Sequence, residues 1–307
     1  MKGLKMMVKK VVPSTVIQRM HFIRKEIDVR WKTRKAKTLF QKTNGVPVWL
    51  DKDMLEKLQQ KYPIKPATYR YDPESLVIRG KERAYQVLNL LKLKSDQPEK
   101  IVKFLELGCG DGMASCILQL AGKKVIASDV QNNNFDTRAV RAGVEFKTLD
   151  VHNLELESSS LDCIFSYNAF EHFDQPTTAL REMIRVVKPN GFIYLNFGPL
   201  YMAPKGMHAY RVVSIPYCQM LFPRETLQEY FLEKKASLTP VNGYTVQQYR
   251  DIWNAHSHRL KRLVYFEEYI ASGLELIEQF PSCFKHKTDY FDNLLVTSIE
   301  VLFRKLE

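Results

Sequence analysis

The residues with the clearest chemical potential form a glycine-rich turn that follows a short apolar run, Glu106-Leu107-Gly108-Cys109-Gly110-Asp111-Gly112. Glycines permit the positive φ angles of a sharp strand-to-helix turn, and they let a ligand approach the backbone closely. The first turn of the helix that follows offers free N–H groups, which bind a carboxylate or another anion. Because a glycine-rich turn alone is a weak signal, it indicates a ligand site only together with further groups.

Two more carboxylates stand where the next two predicted strands end. Asp129 follows the run KVIAS, and Asp150 follows the run VEFKTL. Since the carboxyl ends of parallel strands meet at one edge of a sheet, we expect Glu106, Asp129 and Asp150 to gather at that edge. There Asp129 is placed to accept hydrogen bonds from both hydroxyls of a ribose, and Asp150 to accept one from an adenine amine.

The spacing of the glycines distinguishes two classes of ligand. The pattern here is GxGxG, and it lacks the later glycine with which GxGxxG packs closely beneath a pyrophosphate. Glu106 would repel a pyrophosphate but attract an amino group. These groups therefore suit an adenosine joined to an amino acid, which is S-adenosylmethionine, better than a nicotinamide dinucleotide.

Several segments together resemble a known family. FLELGCGDGMAS, TLDVHNL, LDCIFSYNAFEHF and VVKPNGFIYLNF are similar to class I S-adenosylmethionine-dependent methyltransferases, and most to the type 11 group that modifies small molecules and glycans. The resemblance covers residues 104–200 and, more weakly, 260–305. It implies a Rossmann-like α/β fold. Its seven-stranded mixed sheet would have the order 3-2-1-4-5-7-6, an antiparallel seventh strand and helices on both faces.

The resemblance also implies which residues bind the cofactor. In this family the turn surrounds the methionine part, the residues after the second strand hold the ribose and adenine, and those after the third meet the adenine edge. The residue after the fourth strand lines the reacting face. The matching positions are, in that order, Glu106, Gly108, Cys109 and Gly110; Asp129 and Val130; Asp150 and Val151; and Asn168.

Two histidines are candidates for the general base that a hydroxyl acceptor uses. His172 lies in AFEHF, directly after the predicted fourth strand, and His208 lies in GPLYMAPKGMHAY, just past the fifth. We favour His208 as the catalytic base because its segment begins on the acceptor side. His172 is the second candidate, with an orienting role as its alternative. Glu171 either orients a histidine or caps the following helix.

The periodicity of apolar residues places these groups on an α/β framework. From residue 101 onward, short apolar runs alternate with amphipathic helices, which indicates a parallel sheet covered on both faces. We predict a basic helical extension over residues 1–95 and the methyltransferase domain over 96–307. Residues 200–258 break the alternation, and we interpret them as an inserted cap over the active edge of the sheet.

The cap and the segments after it carry further predictions. The alternation returns with a predicted helix near 260–272, a strand over 274–280 and a long strand over 294–303. The aromatic residues of the cap form either a wall for the acceptor or the cap's own small core. They are Tyr201, Tyr210, Tyr217, Phe222, Tyr244, Tyr249 and Trp253.

The composition excludes several classes of protein. With 307 residues, of which 45% are apolar and 26% charged, the chain can bury a sizeable core and is not a disordered, collagenous or disulfide-built protein. No window is apolar over the roughly 18 residues of a membrane helix, so we predict no transmembrane segment. The five cysteines form no CxxC pair and no Cys/His cluster with zinc spacing, so we predict no metal site. Their odd number, without a signal peptide, favours a cytoplasmic protein with free thiols.

Most of the net charge of +12 lies in one arm. Residues 1–40 contain 12 lysines and arginines against only Glu26 and Asp28. Such an arm suits an anionic membrane face, a phosphorylated acceptor or RNA. Alternatively, it is a solvated helix that packs on the core through an apolar stripe between Val11 and Ile23.

These observations predict methyl transfer from S-adenosylmethionine, at oxygen, to a small-molecule or glycan acceptor that is anionic or membrane-linked. Peripheral membrane contact through the basic arm is part of this hypothesis. The alternative is a tRNA or rRNA methyltransferase that uses the arm. Nucleic acid is disfavoured because SYNAFEHF lacks the Pro-Pro-aromatic motif of base-amine enzymes, and because Cys163 lies inside a strand. A nicotinamide oxidoreductase and a non-catalytic binding module are the remaining rivals.

Overall fold

The computed structural model describes residues 27–64, 71–131, 133–209, 211–238 and 240–307. The first 26 residues of the basic arm, with the predicted apolar stripe, lie outside the described residues, and so does Tyr210. Among the helices of the described residues, none combines the length and the apolar composition needed to cross a bilayer.

The described elements alternate as the sequence predicts. The strands are β1 (Lys103–Leu107), β2 (Lys124–Ser128), β3 (Glu145–Lys147), β4 (Leu161–Tyr167), β5 (Val187–Phe197), β6 (Leu260–Tyr269) and β7 (Val296–Lys305). The helices are α1 (Arg34–Lys42), α2 (Lys52–Lys61), α3 (Pro73–Lys94), α4 (Met113–Leu120), α5 (Thr137–Arg141), α6 (Pro176–Val186), α7 (Cys218–Leu221), α8 (Arg224–Glu233), α9 (Val246–Ala255), α10 (Leu274–Gln279) and α11 (Pro281–Lys285). Residues 27–32 are also helical, and Pro98–Lys100, Phe170–His172 and Phe291–Leu294 are short 3₁₀ turns.

The seven strands form one sheet in the order β3-β2-β1-β4-β5-β7-β6. Neighbouring strands from β1 to β5 run parallel, whereas β7 is antiparallel to both β5 and β6. The predicted fold class and strand order are therefore confirmed. The chain order reverses between β1 and β4, and open α/β sheets bind ligands outside the carboxyl ends of the strands at such a switch point.

Helices cover both faces of the sheet. On one face, α3 buries Ala84, Val87 and Leu91 against the strands beside α4. Asp72 fixes the start of α3, because its side chain accepts a hydrogen bond from the N–H of Ser75 at 2.9 Å. The other face is covered by α6, the segment between β5 and β6, and the helices α1, α2, α10 and α11. These two layers position the carboxyl edge of β1, β2 and β4.

Two predicted elements near the C-terminal part of the sheet are wrong. The segment predicted as a helix near 260–272 is the strand β6, and the predicted strand over 274–280 is the helix α10. β6 reads LKRLVYFEEY, whose valine and aromatic residues favour an extended, half-buried strand that pairs with β7. α10 reads LELIEQ, a run of mostly good helix formers that buries Leu276 and Ile277.

Residues 198–259 join β5 to β6 and contain α7, α8 and α9. Four of the aromatic residues predicted here are buried within this segment, which supports the interpretation as a core rather than a wall. They are Tyr217, Phe222, Tyr249 and Trp253. Tyr201 and Tyr244 are only partly buried and remain available to an acceptor. The segment also contacts the N-terminal helices, since the N–H of Leu50 donates to the Leu221 carbonyl at 2.9 Å.

Candidate functional site

The glycine turn links β1 to α4 and leaves an open space at its centre. Gly108, Gly110 and Gly112 all have positive φ, at 69°, 53° and 68°. A Cβ on Gly108 would lie 2.2 Å from the Cβ of Ala169, whereas a Cβ on Gly110 would meet no atom within 4 Å. Gly108 is therefore required by packing, and Gly110 borders space that a ligand can enter.

Asp129 faces this turn, as the strand order predicts. Its Oδ2 accepts a hydrogen bond from the N–H of Gly110 at 2.8 Å, and its Oδ1 accepts one from the N–H of Val130, also at 2.8 Å. Val130 follows Asp129, two residues past the end of β2, and is 75% exposed. The pair thus offers a carboxylate and an apolar surface side by side, as a ribose and an adenine ring require.

Glu106 lies beneath the turn rather than at its surface. It is buried, and its Oε2 accepts hydrogen bonds from the N–H and the Oγ–H of Ser115, at 3.1 and 2.5 Å. Burial raises the pKa of Glu106 to about 7, although Ser115 and the charge of Arg83 act against this shift. The implied contact between Glu106 and an amino group stays a prediction.

The remaining predicted cofactor residues lie at the ends of β3 and β4. Asp150 is exposed, and its Oδ1 accepts a hydrogen bond from the N–H of His152 at 2.9 Å, which lowers the pKa of the carboxyl. Val151 is partly buried beside it. Asn168 has a φ of 50° directly after β4, and its N–H donates to the Asn196 carbonyl at 2.9 Å. Asparagine tolerates this backbone conformation, which exposes its side chain.

Two arginines of α3 were not predicted as site residues. Arg79 Nη2 lies 3.3 Å from Asp111 Oδ2 in the glycine turn, and the Arg83 guanidinium lies 5.1 Å from the ring centre of Tyr167. Burial raises the pKa of both Glu106 and Glu171, and the charge of Arg83 offsets part of this rise. Their spacing of four residues puts both on one face of a helix, and this was the available signal. Arg79 thus places a cation at the turn, paired with Asp111, and Arg83 places one at the end of β4, and both suit a ligand with a carboxylate.

The two predicted bases lie next to each other. The rings of His172 and His208 pack edge to face with their centres 4.9 Å apart. His172 Nδ1 is 2.5 Å from the Pro240 carbonyl oxygen, and His208 Nε2 is 3.0 Å from the Pro199 carbonyl oxygen. A neutral His208 that donates through Nε2 carries its lone pair on Nδ1, which is the form that a general base requires.

Glu171 completes this cluster. Its Oε1 lies 3.8 Å from His172 Nε2, and in the described part of the chain neither carboxylate oxygen has a hydrogen-bond partner. Burial raises the pKa of Glu171 to about 8, opposed by the backbone N–H groups of Glu171 itself and Gly198. Burial also lowers the pKa of His208. At neutral pH the cluster therefore combines a protonated carboxyl with a neutral imidazole.

The same three residues could also hold a metal ion. One ligand atom from each of Glu171, His172 and His208 lies within 4.8 Å of the others, in the part of the chain that the structure describes. Imidazole and carboxylate ligands suit a divalent transition metal. The cysteine spacing predicts no metal, and the effect of a chelator on activity separates the two possibilities.

A cavity of about 460 Å³ lies away from these residues. It is at the opposite edge of the sheet, where Lys103, Lys124 and Leu161 begin their strands. Its lining contains none of the predicted site residues. In an open parallel sheet the ligand site is at the carboxyl ends of the strands, so this cavity is not the candidate site.

The sheet order, the glycine turn and the carboxylate that faces it are the features that the resemblance to class I methyltransferases predicts. Residues 105–195 match the type 11 methyltransferase domain family. The predicted resemblance is therefore confirmed for this part of the chain.

Curated relatives are similar over part of the chain. The ubiquinone biosynthesis O-methyltransferase of Parvibaculum lavamentivorans is 24% identical over 141 residues, which are 44% of this chain and 54% of that protein. The enzyme of the same name from Bartonella tribocorum is 26% identical over 176 residues, 50% of this chain and 67% of that protein. The chain thus spans about half to two thirds of the length of these relatives.

Among solved structures, an S-adenosylmethionine-dependent methyltransferase from Mesorhizobium loti aligns with a TM-score of 0.45 and 19% identity. The alignment covers 72% of this chain and 97% of that chain.

Alanine substitutions in the turn should separate packing from ligand binding. Gly122 lies just after α4, outside the turn, and serves as the reference. It has a positive φ, and a Cβ on it would meet no atom within 4 Å, so Gly122→Ala measures the cost of positive φ alone, about 1–2 kcal/mol. Gly108→Ala should cost about 1–3 kcal/mol more, since its methyl overlaps Ala169. Gly110→Ala should be as stable as Gly122→Ala but bind S-adenosylmethionine more weakly. Urea unfolding measures the stability of each variant, and calorimetry measures its affinity for S-adenosylmethionine. If Gly108→Ala and Gly122→Ala lose equal stability, Gly108 is not required by packing.

The buried carboxyl of Glu171 should make stability depend on pH. Folding raises its pKa from the usual 4.5 to about 8, so the folded state binds the proton more tightly. The resulting stabilisation is complete below pH 4.5 and is lost as the pH rises through 8. We therefore expect Glu171→Gln to gain melting temperature relative to the unmodified protein as the pH rises from about 4.5 to 8, and the difference should stay constant above pH 8. Glu157→Gln, at an exposed position, is the control. If the melting temperatures of all three proteins change with pH in the same way, the prediction is refuted.

Proposed function

We propose that the chain is an S-adenosylmethionine-dependent O-methyltransferase that acts on a small molecule. The observation that carries this proposal is the open space at Gly110 with Asp129 directly beside it, on a domain that matches methyltransferases. The space admits a ligand, the carboxylate suits a ribose, and the two arginines of α3 suit a carboxylate. The residues present therefore fit an adenosine joined to an amino acid.

S-adenosylmethionine supplies an electrophilic methyl group when bound. The chain has to hold the acceptor in line, exclude water and take the acceptor's proton. The segment 198–259 is suited to exclude water because it packs over Phe170 and Phe197 at the carboxyl edge of β4 and β5. Neutral His208 is suited to accept the proton, and His172 and Glu171 hold its surroundings in place.

The acceptor belongs to the proposal as well. The curated relatives are named O-methyltransferases of ubiquinone biosynthesis, which favours transfer to oxygen on a small molecule over the RNA alternative. A glycan acceptor remains within the proposal. The basic arm favours an acceptor that is anionic or membrane-linked. We also propose a cytoplasmic location, which the five free cysteine thiols support.

Calorimetry with S-adenosylhomocysteine, S-adenosylmethionine and NAD tests the cofactor class. We expect binding of the first two and none of NAD, and the reverse result would refute the proposal. A mass-shift screen against hydroxylated aromatic compounds, acidic sugars and tRNA then tests the acceptor. Methylation of tRNA alone would establish the alternative function.

A further inference from the structure

The described end of the basic arm is one continuous helix that is anchored along one side. The N–H of Thr33 donates to the Val29 carbonyl at 3.0 Å, and that of Lys37 donates to the Thr33 carbonyl at 2.9 Å, so residues 27–32 and α1 share one helix axis. Val29, Thr33, Ala36 and Phe40 are buried at a spacing of three and four residues. This side packs on α10 and α11, which attaches the helix firmly to the domain.

The opposite side of this helix is exposed and has an unusual composition. Ile27 is 63% exposed and Trp31 is 70% exposed, at positions turned away from the buried side. Arg34, Lys35, Thr38 and Lys42 continue the same side, and all are exposed. This outward face is made of Ile27, Trp31, Arg34, Lys35, Thr38 and Lys42, none of which is acidic. Lys35 is paired with Glu278 of α10 at 2.5 Å, and the exposed Asp28 at the border of the face is paired with Lys32 at 2.6 Å, so Arg34 and Lys42 carry the net positive charge of the face.

We propose that the outward face docks the protein on an anionic lipid bilayer. Tryptophan and isoleucine bury their apolar surface at the boundary of headgroups and acyl chains, and lysine and arginine attract anionic headgroups. The helix lies along the protein surface, so it can rest in the plane of the membrane with its anchored side toward the domain. The lipid bilayer fits better than a nucleic acid, because phosphate contacts dominate nucleic-acid binding and would leave the apolar surface of an exposed isoleucine in water.

The proposal deepens the membrane-linked acceptor suggested above, but it does not require methyl transfer. The chain that follows the helix contacts the cap at two points. The N–H of Leu50, between α1 and α2, donates to the carbonyl of Leu221 in α7, and Gln59 of α2 donates a hydrogen bond to the hydroxyl of Ser214 in the cap at 2.8 Å. A membrane that holds the outward face would therefore also hold the cap near the lipid surface.

Sedimentation with lipid vesicles, without cofactor or acceptor, tests the docking face. Vesicles contain equal parts of phosphatidylglycerol and phosphatidylcholine, or phosphatidylcholine alone. We expect binding only to the anionic vesicles, and Ile27→Ser combined with Trp31→Ser should weaken it by about tenfold or more. Ile78→Ser combined with Tyr85→Ser is the matched control, because these residues of α3 are 51% and 52% exposed. Circular dichroism verifies that both variants fold.

Three results would overturn the proposal. They are equal binding to neutral vesicles, unchanged binding of the Ile27 and Trp31 variant, or an equal loss in the control variant. Tighter binding of the protein to tRNA than to anionic vesicles, lost in the same variant, would assign the face to nucleic acid instead. Because no methyl transfer is measured, failure here leaves the proposed enzymatic function standing, and failure of that function leaves the docking face standing.

Discussion

Asp129→Ala is expected to reduce the affinity for S-adenosylhomocysteine by about 100-fold or more. Hydrogen bonds to a charged acceptor contribute roughly 1.5–3 kcal/mol each, and a ribose presents two hydroxyls to this carboxylate. Calorimetry measures the loss directly. The substitution should leave the fold intact because Asp129 is only partly buried and its two hydrogen bonds come from backbone groups of an exposed turn.

Two variants sharpen this experiment. Asp129→Asn keeps the shape and one acceptor oxygen, so it should lose less affinity than Asp129→Ala. Asp150→Ala removes the exposed carboxylate that follows the third strand. Because this carboxylate is predicted to contact only the adenine edge, we expect a smaller loss of affinity for S-adenosylhomocysteine than in Asp129→Ala. If Asp129→Ala binds S-adenosylhomocysteine as tightly as the unmodified protein, the pocket at the glycine turn is not the cofactor site.

His208→Gln is expected to lower kcat by about 100- to 10,000-fold with little change in KM. The loss of a general base slows the proton transfer in the transition state but removes no contact that binds the acceptor. His172→Gln should have a smaller effect, since we assign it a positioning role. Kinetics use the acceptor found by the mass-shift screen. Glutamine is close to histidine in size and retains a polar group, so we expect both variants to fold.

The pH profile identifies the role of His208. Burial lowers its pKa below the usual 6.5, so the imidazole is neutral and active at neutral pH. The activity of the unmodified protein should fall only as the pH drops below 6.5, and His208→Gln should lack this acidic limb. A metal site at Glu171, His172 and His208 would give three results together. A chelator would abolish activity, zinc would restore it, and both histidine variants would lose activity equally. That outcome would contradict the assignment of a general base.

Much of the fold could be read from local patterns, and the errors have a local cause. The strands from β1 to β5 were predicted because parallel strands buried on both faces appear as short apolar runs between amphipathic helices. The predictions of a helix over 260–272 and a strand over 274–280 are wrong because both segments mix apolar and acidic residues at short spacing, which suits either structure. For the first, pairing with β7 decides the strand, and for the second, burial of Leu276 and Ile277 decides the helix.

The placement of the groups at the strand ends follows from the sequence alone. Asp129 faces Gly110 because each lies beyond a parallel strand of the same sheet, and such ends meet at one edge. The approach of groups that lie far apart in the chain depends instead on how the elements pack. The packing of α3 brings Arg79 to the turn, and the segment 198–259 brings His208 to His172, 36 residues away in the sequence. The protonation of Glu171 follows from its burial, which depends on every neighbour that excludes water and cannot be read from its own segment.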